Sequence, residues 1–150
     1  MTHRRFALFS IVVGFFAALS SPSLAQQNAR AYTEGPVLQV SYIRTQPGKF
    51  DEYLQYLATT YKTIMEEQKK AGIILDYAVY SSQPLTPADP DLILTVTYAN
   101  MGALDNLDVR SDPITNKAFG SLQGSNQASA DREALRTQLG GRLLRQLTLK

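Results

Sequence analysis

Two hydrophobic periods take turns along this chain. In residues 37–45 (VLQVSYIRT) the period is two: Leu38, Val40 and Tyr42 point one way and Gln39, Ser41 and Ile43 the other, which predicts a strand. Pro47-Gly48 ends it. The period then lengthens. Phe50, Tyr53, Leu54, Leu57, Tyr61, Ile64 and Met65 recur at three and four residues and form one face of a long helix. Asp51 and Glu52 in its first turn and Lys69 and Lys70 in its last suit the helix dipole, and Gly72 is a good residue to end on.

Period two returns in residues 73–81 (IILDYAVYS) and 91–98 (DLILTVTY), with a proline-rich loop at 82–90 between them. In the later strand Leu92, Leu94, Val96 and Tyr98 share a face opposite Ile93, Thr95 and Thr97. Residues 101–107 predict a short helical turn, and Asp112 a cap for a segment with Pro113 in its first position. The Gly, Ser, Asn and Gln of 121–129 predict a loop, and residues 130–139 a helix with Leu135 and Leu139 one turn apart. Gly140-Gly141 then stops that helix, and 142–149 (RLLRQLTL) is the last strand.

The order β-α-β-β-α-β predicts an α+β, ferredoxin-like domain: a four-stranded antiparallel sheet with helices on one face. The other face would then present Ile43, Ile74, Ala78, Ile93 and Leu144 among Gln39, Ser41, Thr95, Thr97 and Gln146. So much apolar surface calls for a cover, and a second copy in a two-fold contact is the commonest one.

The N-terminus changes how the charge is read. His3, Arg4 and Arg5 precede an apolar run at 6–19, and Ser23-Leu24-Ala25 supplies small residues at the two positions a signal peptidase inspects. The run is shorter than the about 20 residues a spanning helix needs. Residues 1–25 therefore predict a signal peptide cleaved after Ala25, 26–35 a flexible arm, and 36–150 the folded domain, exported to the periplasm or secreted and free of the membrane after cleavage. The formal charge of +2 resides in Arg4 and Arg5, and the remaining 13 basic residues balance 13 acids. A neutral domain has no field to attract nucleic acid. With no cysteine, it must be held by its core alone.

The only histidine, His3, lies in the leader. Without His or Cys the domain excludes Ser-His-Asp and Cys-His catalysis, the usual zinc sites and haem ligation through either residue. It contains neither a phosphate loop nor a dinucleotide fingerprint, and its acidic stretches, Asp89-Pro90-Asp91 and 105–112, do not match a calcium loop. No cofactor is expected: no transition metal, haem or flavin. The tyrosines, acids, lysines and arginines remain. Asp76 stands out because it interrupts an apolar strand on the same alternation as Tyr80; buried, it would be a base, and at an edge, a charge that deters aggregation.

The strand running into Pro47-Gly48-Lys49-Phe50, the helix ending at Ala71-Gly72, the strand with Tyr77 and Tyr80, and DLILTVTY together resemble the dimeric α/β-barrel superfamily. The resemblance implies two ferredoxin-like protomers packed sheet to sheet around a cavity. It also implies kinship with cofactor-independent monooxygenases of antibiotic biosynthesis, haem-degrading enzymes, dehydratase-like proteins and exported proteins. The chain departs from the catalytic members in lacking Trp and a His beyond the leader, so no catalytic residue is carried over. Alternation makes Gln39, Ser41, Asp76, Tyr80, Thr95, Thr97 and Gln146 the candidate cavity lining, or, with the opposite face, Tyr42, Arg44, Tyr77 and Tyr98. The expectation is an exported homodimer that binds a small, largely apolar molecule or a protein partner. The alternative is a cofactor-independent proton-transfer enzyme, monooxygenase-like, acting on a phenolic or polyketide-like substrate.

Overall fold

In the computed structural model, which describes residues 30–150, strand β1 (Tyr32–Thr45) is the longest piece of sheet together with β4 (Arg136–Leu149). Strands β2 (Asp76–Ser81) and β3 (Leu92–Tyr98) complete an antiparallel sheet of order β2-β3-β1-β4. This is the split order of the ferredoxin-like fold, with the first and third strands central. The expected signal peptide, residues 1–25, lies outside the described residues. Among those described, no helix is long and apolar enough to cross a membrane.

The period-3.6 stretch forms one rod in three pieces: α1 (Phe50–Tyr56), a π-helical turn (Leu57–Tyr61) and α2 (Lys62–Lys70). The wider turn carries Thr59, whose hydroxyl donates to the Gln55 carbonyl at 2.8 Å and so takes up an acceptor within the rod. Tyr53, Leu57 and Ile64 are buried. The first two pack with Ile43, Leu92 and Leu94 beneath the rod, and Ile73 and Ile74 join Val37 and Tyr98 in a second cluster. Burying each such side chain is worth about 1.5–3 kcal/mol.

Several elements differ from the expected ones, each for a local reason. The first strand begins at Tyr32, inside the expected arm, because residues 32–34 pair with 147–149 of β4. Ile73 and Ile74 are buried in the turn after α2 rather than in β2. Pro113 does not start a helix but sits inside α3 (Leu107–Phe119). The Ser111 and Thr115 hydroxyls there donate back to the Leu107 and Ser111 carbonyls at 2.8 and 3.0 Å. The Gly/Ser/Asn/Gln stretch is helical: α4 (Leu122–Glu133) starts where the Ser121 side chain accepts from the Gly124 N–H at 3.0 Å. That helix ends six residues before Leu139, and β4 takes over at Arg136. Gly140-Gly141 is therefore no helix stop. It belongs to a bulge in β4, where pairing slips between Tyr42 and Ile43 and Gly140 takes φ 130°.

The register decides the faces. Val37, Gln39, Ser41 and Ile43 oppose Tyr98, Val96, Leu94 and Leu92, and this is the side the helices cover. Leu38, Val40 and Tyr42 share the open face with Thr97, Thr95 and Ile93, and on the outer strands with Ala78, Tyr80 and Leu144. The expected open face is thus corrected in β1: Ile43 and Ile74 are core, while Leu38, Val40 and Tyr42 take their place. The open face remains a mixture of apolar and polar side chains.

The acids of the proline-rich loop serve the backbone. Asp89 accepts from the N–H groups of Leu85 and Thr86 at 3.0 and 2.8 Å. The Asp91 carboxylate accepts from the Thr45 N–H at 3.0 and 3.1 Å, tying the loop to the end of β1.

Candidate ligand cleft

The helix rod, α4 and the start of β4 enclose a cleft of about 180 Å³ over the covered face of the sheet. Ser41, Ile43 and Leu94 form its floor; Tyr53, Tyr56 and Tyr61 come from the rod; Arg132, Arg136 and Gln138 close the side. The rod sets the tyrosines by its spacing. Tyr53 and Tyr56 are stacked, ring centroids 6.0 Å apart and planes 13° from parallel. Tyr61, on the π-helical turn, meets Tyr77 edge to face at 5.9 Å. Its hydroxyl is buried and, among the described residues, has no hydrogen-bond partner.

The two arginines arrive from consecutive elements. Arg132, in the last turn of α4, donates to the Tyr56 hydroxyl at 2.9 Å. Arg136 opens β4, paired with Thr45, and is 8 % exposed, with its guanidinium 5.8 Å from the centre of the Tyr53 ring. It donates to the Gln138 side-chain oxygen at 3.3 Å, and its nearest carboxylate, Glu133, is 3.8 Å away and well exposed. The Arg136 Nε has no partner among the described residues. A guanidinium this deep carries a desolvation cost that one long contact to an exposed carboxylate does not offset.

Burial pushes the Tyr61 hydroxyl well above the usual phenol value. Burial also raises Tyr53, against the opposing pull of Arg136. Outside the cleft Tyr77 is pushed up to about 12, by burial first and then by the hydrogen bond it donates to Glu66 at 2.7 Å. Burial thus favours the neutral form of each of these phenols in the folded protein. A raised phenol stabilises the fold fully below the unfolded value near 10, and that stability is lost as the pH climbs through the folded value. Thermal unfolding followed from pH 8 to 12 should therefore be level to about pH 10 and fall beyond it, with a shallower fall in Tyr77→Phe. A Tm independent of pH up to 12 would contradict these environments.

The expected cavity residues divide between the faces. Asp76, Tyr80, Thr95 and Thr97 do share the open face: Asp76 pairs with Thr97, and Tyr80 with Ile93 two residues before Thr95. Gln146 falls at a second irregularity of the β1–β4 pairing, between Glu34 and Val37, beside Gly35. Gln39 and Ser41 lie on the opposite, helix-covered side, where Gln39 accepts from the Tyr98 hydroxyl at 3.1 Å and Ser41 enters the cleft. The alternative set also divides: Tyr42 and Arg44 are on the open face, Tyr77 and Tyr98 under the helices. Asp76 is exposed on edge strand β2 and paired with Lys69 at 2.8 Å, and that hydrogen bond holds its carboxyl below the ordinary value. Within one protomer it stands as an edge charge.

Alternation could not point to Arg132 and Arg136, because residues 130–139 read as one helix. The signal that was present is the tyrosine stripe of the rod followed, far along the chain, by two arginines four residues apart. Among the described residues no group of three or more His, Cys, Asp or Glu could hold a metal. The side chains lining the cleft offer hydroxyl, amide and guanidinium donors over aromatic walls, and no carboxylate. Such a set can donate hydrogen bonds to an electron-rich group.

No protein-family model matches the chain, and no curated protein does. Solved structures do. HapK from Hahella chejuensis superposes with a TM-score of 0.50 at 8% identity, over 73% of this chain and 91% of its own. Protein SO0527 from Shewanella oneidensis gives 0.46 at 14% identity, over 78% and 96%. A dimeric ferredoxin-like protein from an uncultured marine organism gives 0.47 at 8%, over 79% and 90%. What this chain shares with such proteins is the fold, an α+β ferredoxin-like domain with its helices on one face of a four-stranded antiparallel sheet.

Proposed function

We propose that this protein is an exported, homodimeric binding domain that holds a small aromatic or planar anion in the tyrosine–arginine cleft. One observation carries the reading: Arg136, nine-tenths buried with its Nε unpartnered, and Tyr61, with its hydroxyl unpartnered, line the same cleft. Buried polar groups are ordinarily satisfied, and an anion satisfies both. A carboxylate or enolate accepts charge-assisted hydrogen bonds from the guanidinium, while its ring lies among Tyr53, Tyr56 and Leu94. The volume suits a small guest, since a cavity of about 150 Å³ accommodates benzene.

Dimerisation uses the other side of the sheet, so it leaves the cleft free. Leu38, Tyr42, Ile93 and Leu144 lie on the face opposite the helix-covered clusters and keep exposed surface within one protomer. Packing that face against a second copy removes apolar area at about 25 cal/mol per Å². Export follows from the leader, and the intact mass of exported protein should begin at Gln26. Asp76 lies outside the cleft and takes no part in this binding.

Calorimetric titration with benzoate and with neutral benzamide tests the cleft. Benzoate should bind once per protomer and at least about tenfold more tightly than benzamide, as expected of a charge-assisted pair. Equal affinities, or no binding of benzoate, would contradict the proposal.

A further inference from the structure

The cleft does not end at Ser41 and Gln138. Both residues also border a second hollow of about 420 Å³ on the same side of the sheet, so the two spaces adjoin along β1 and β4. The second hollow exists because the helices stop short: α4 reaches the start of β4, α3 begins at Leu107, and Leu143 between them is 46% exposed. Its side-chain walls are Leu104, Leu107 and Leu143, with Gln39 at the floor; Val40 and Arg142 border it from strands whose register turns their side chains to the opposite face. The combined trough is asymmetric. Two guanidiniums stand at one end and leucines at the other. From Ile43 to Gln39 it follows four residues of strand, about 13 Å.

We infer that the natural ligand is an elongated amphiphilic acid: its carboxylate sits at the Arg132–Arg136 end and an unbranched apolar chain lies over Ser41 and Gln138 toward Leu104, Leu107 and Leu143. This rests on the anion-binding reading of the cleft and adds the ligand's shape and polarity. An apolar chain covers leucine surface that the fold leaves wet, and the direction is set because the only charges lining the cleft itself are cationic.

The probes are benzoate, hexanoate, octanoate and decanoate, titrated into the intact protein. Affinity should climb from hexanoate to decanoate by about two- to fourfold for each added methylene, the gain expected for partly to fully buried chain. Leu143→Ser, at an exposed position that the core does not need, should flatten that climb and leave benzoate at its wild-type affinity. If benzoate binds but the alkanoates show no dependence on length, the trough is wrong and the cleft stands. A length dependence that survives Leu143→Ser places the chain elsewhere and also overturns the inference. If neither benzoate nor the alkanoates bind, or Arg136→Met leaves their binding unchanged, the cleft reading fails and the trough with it.

Discussion

Ile93→Glu is expected to turn the protein from a dimer into a monomer without unfolding it. Ile93 lies between Tyr42 of β1 and Tyr80 of β2 on the open face and is only half-buried within one protomer. A glutamate there can reach water in the isolated protomer. In a sheet-to-sheet dimer the two-fold places two such carboxylates in an apolar interface, and each loses solvation without gaining a partner. A cost of roughly 4 kcal/mol or more raises the dissociation constant about a thousandfold. Light scattering after gel filtration reads the mass directly. Lys62→Glu, on the exposed side of the helix rod, should leave the dimer intact. A wild-type monomer at micromolar concentration would overturn the sheet-to-sheet arrangement.

Arg136→Met should have two effects of opposite sign. Without ligand, it removes a buried guanidinium whose one carboxylate contact is long and whose Nε is unpartnered, and replaces it with a side chain of similar reach that packs against Tyr53. Replacing under-compensated buried charge with apolar volume stabilises by about 1–3 kcal/mol, which raises Tm by several degrees. Benzoate binding, by contrast, should fall by about thirtyfold or more, the loss typical when one partner of a buried charged pair is removed. A group kept at the expense of stability is the mark of a site held for function. A variant that is both less stable and unchanged in binding would make Arg136 a structural residue.

The strands and the long helix were legible because each is written in its own period: VLQVSYIRT and DLILTVTY alternate, and Phe50 to Met65 recur as a helix must. Alternation sorts the residues of each strand into two sets. It does not say which set of β1 shares a face with which set of β3, because that is fixed by register between strands about fifty residues apart. Hence Gln39, Ser41 and Ile43 were grouped with Ile93 and Thr95, whereas pairing joins them to Val96, Leu94 and Leu92. The second crossover was obscured differently. Residues 121–129 have poor helix propensity and no apolar stripe, and α4 forms from a serine cap and its packing against α3. Once that helix is moved earlier, Arg136 becomes a strand residue and Gly140-Gly141 a bulge. The site depends on that shift, because it carries Arg132 and Arg136 over Tyr53 and Tyr56. Of the tyrosine half of the cleft, Tyr53 and Tyr61 were legible only as part of the rod's packing face and Tyr56 lay off it; the arginine half was hidden in a helix that ends sooner than its composition suggests.

The most direct measurement is the side-chain Nε–H resonance of Arg136, assigned by its loss in Arg136→Met and followed by NMR as benzoate is added to the intact protein. A buried, unpartnered Nε–H that gains a carboxylate should move saturably, with the same dissociation constant that calorimetry gives, while the Nε–H of exposed Arg142 stays in place. An Arg136 signal unmoved at saturating benzoate would show that the cleft is not where an anion binds.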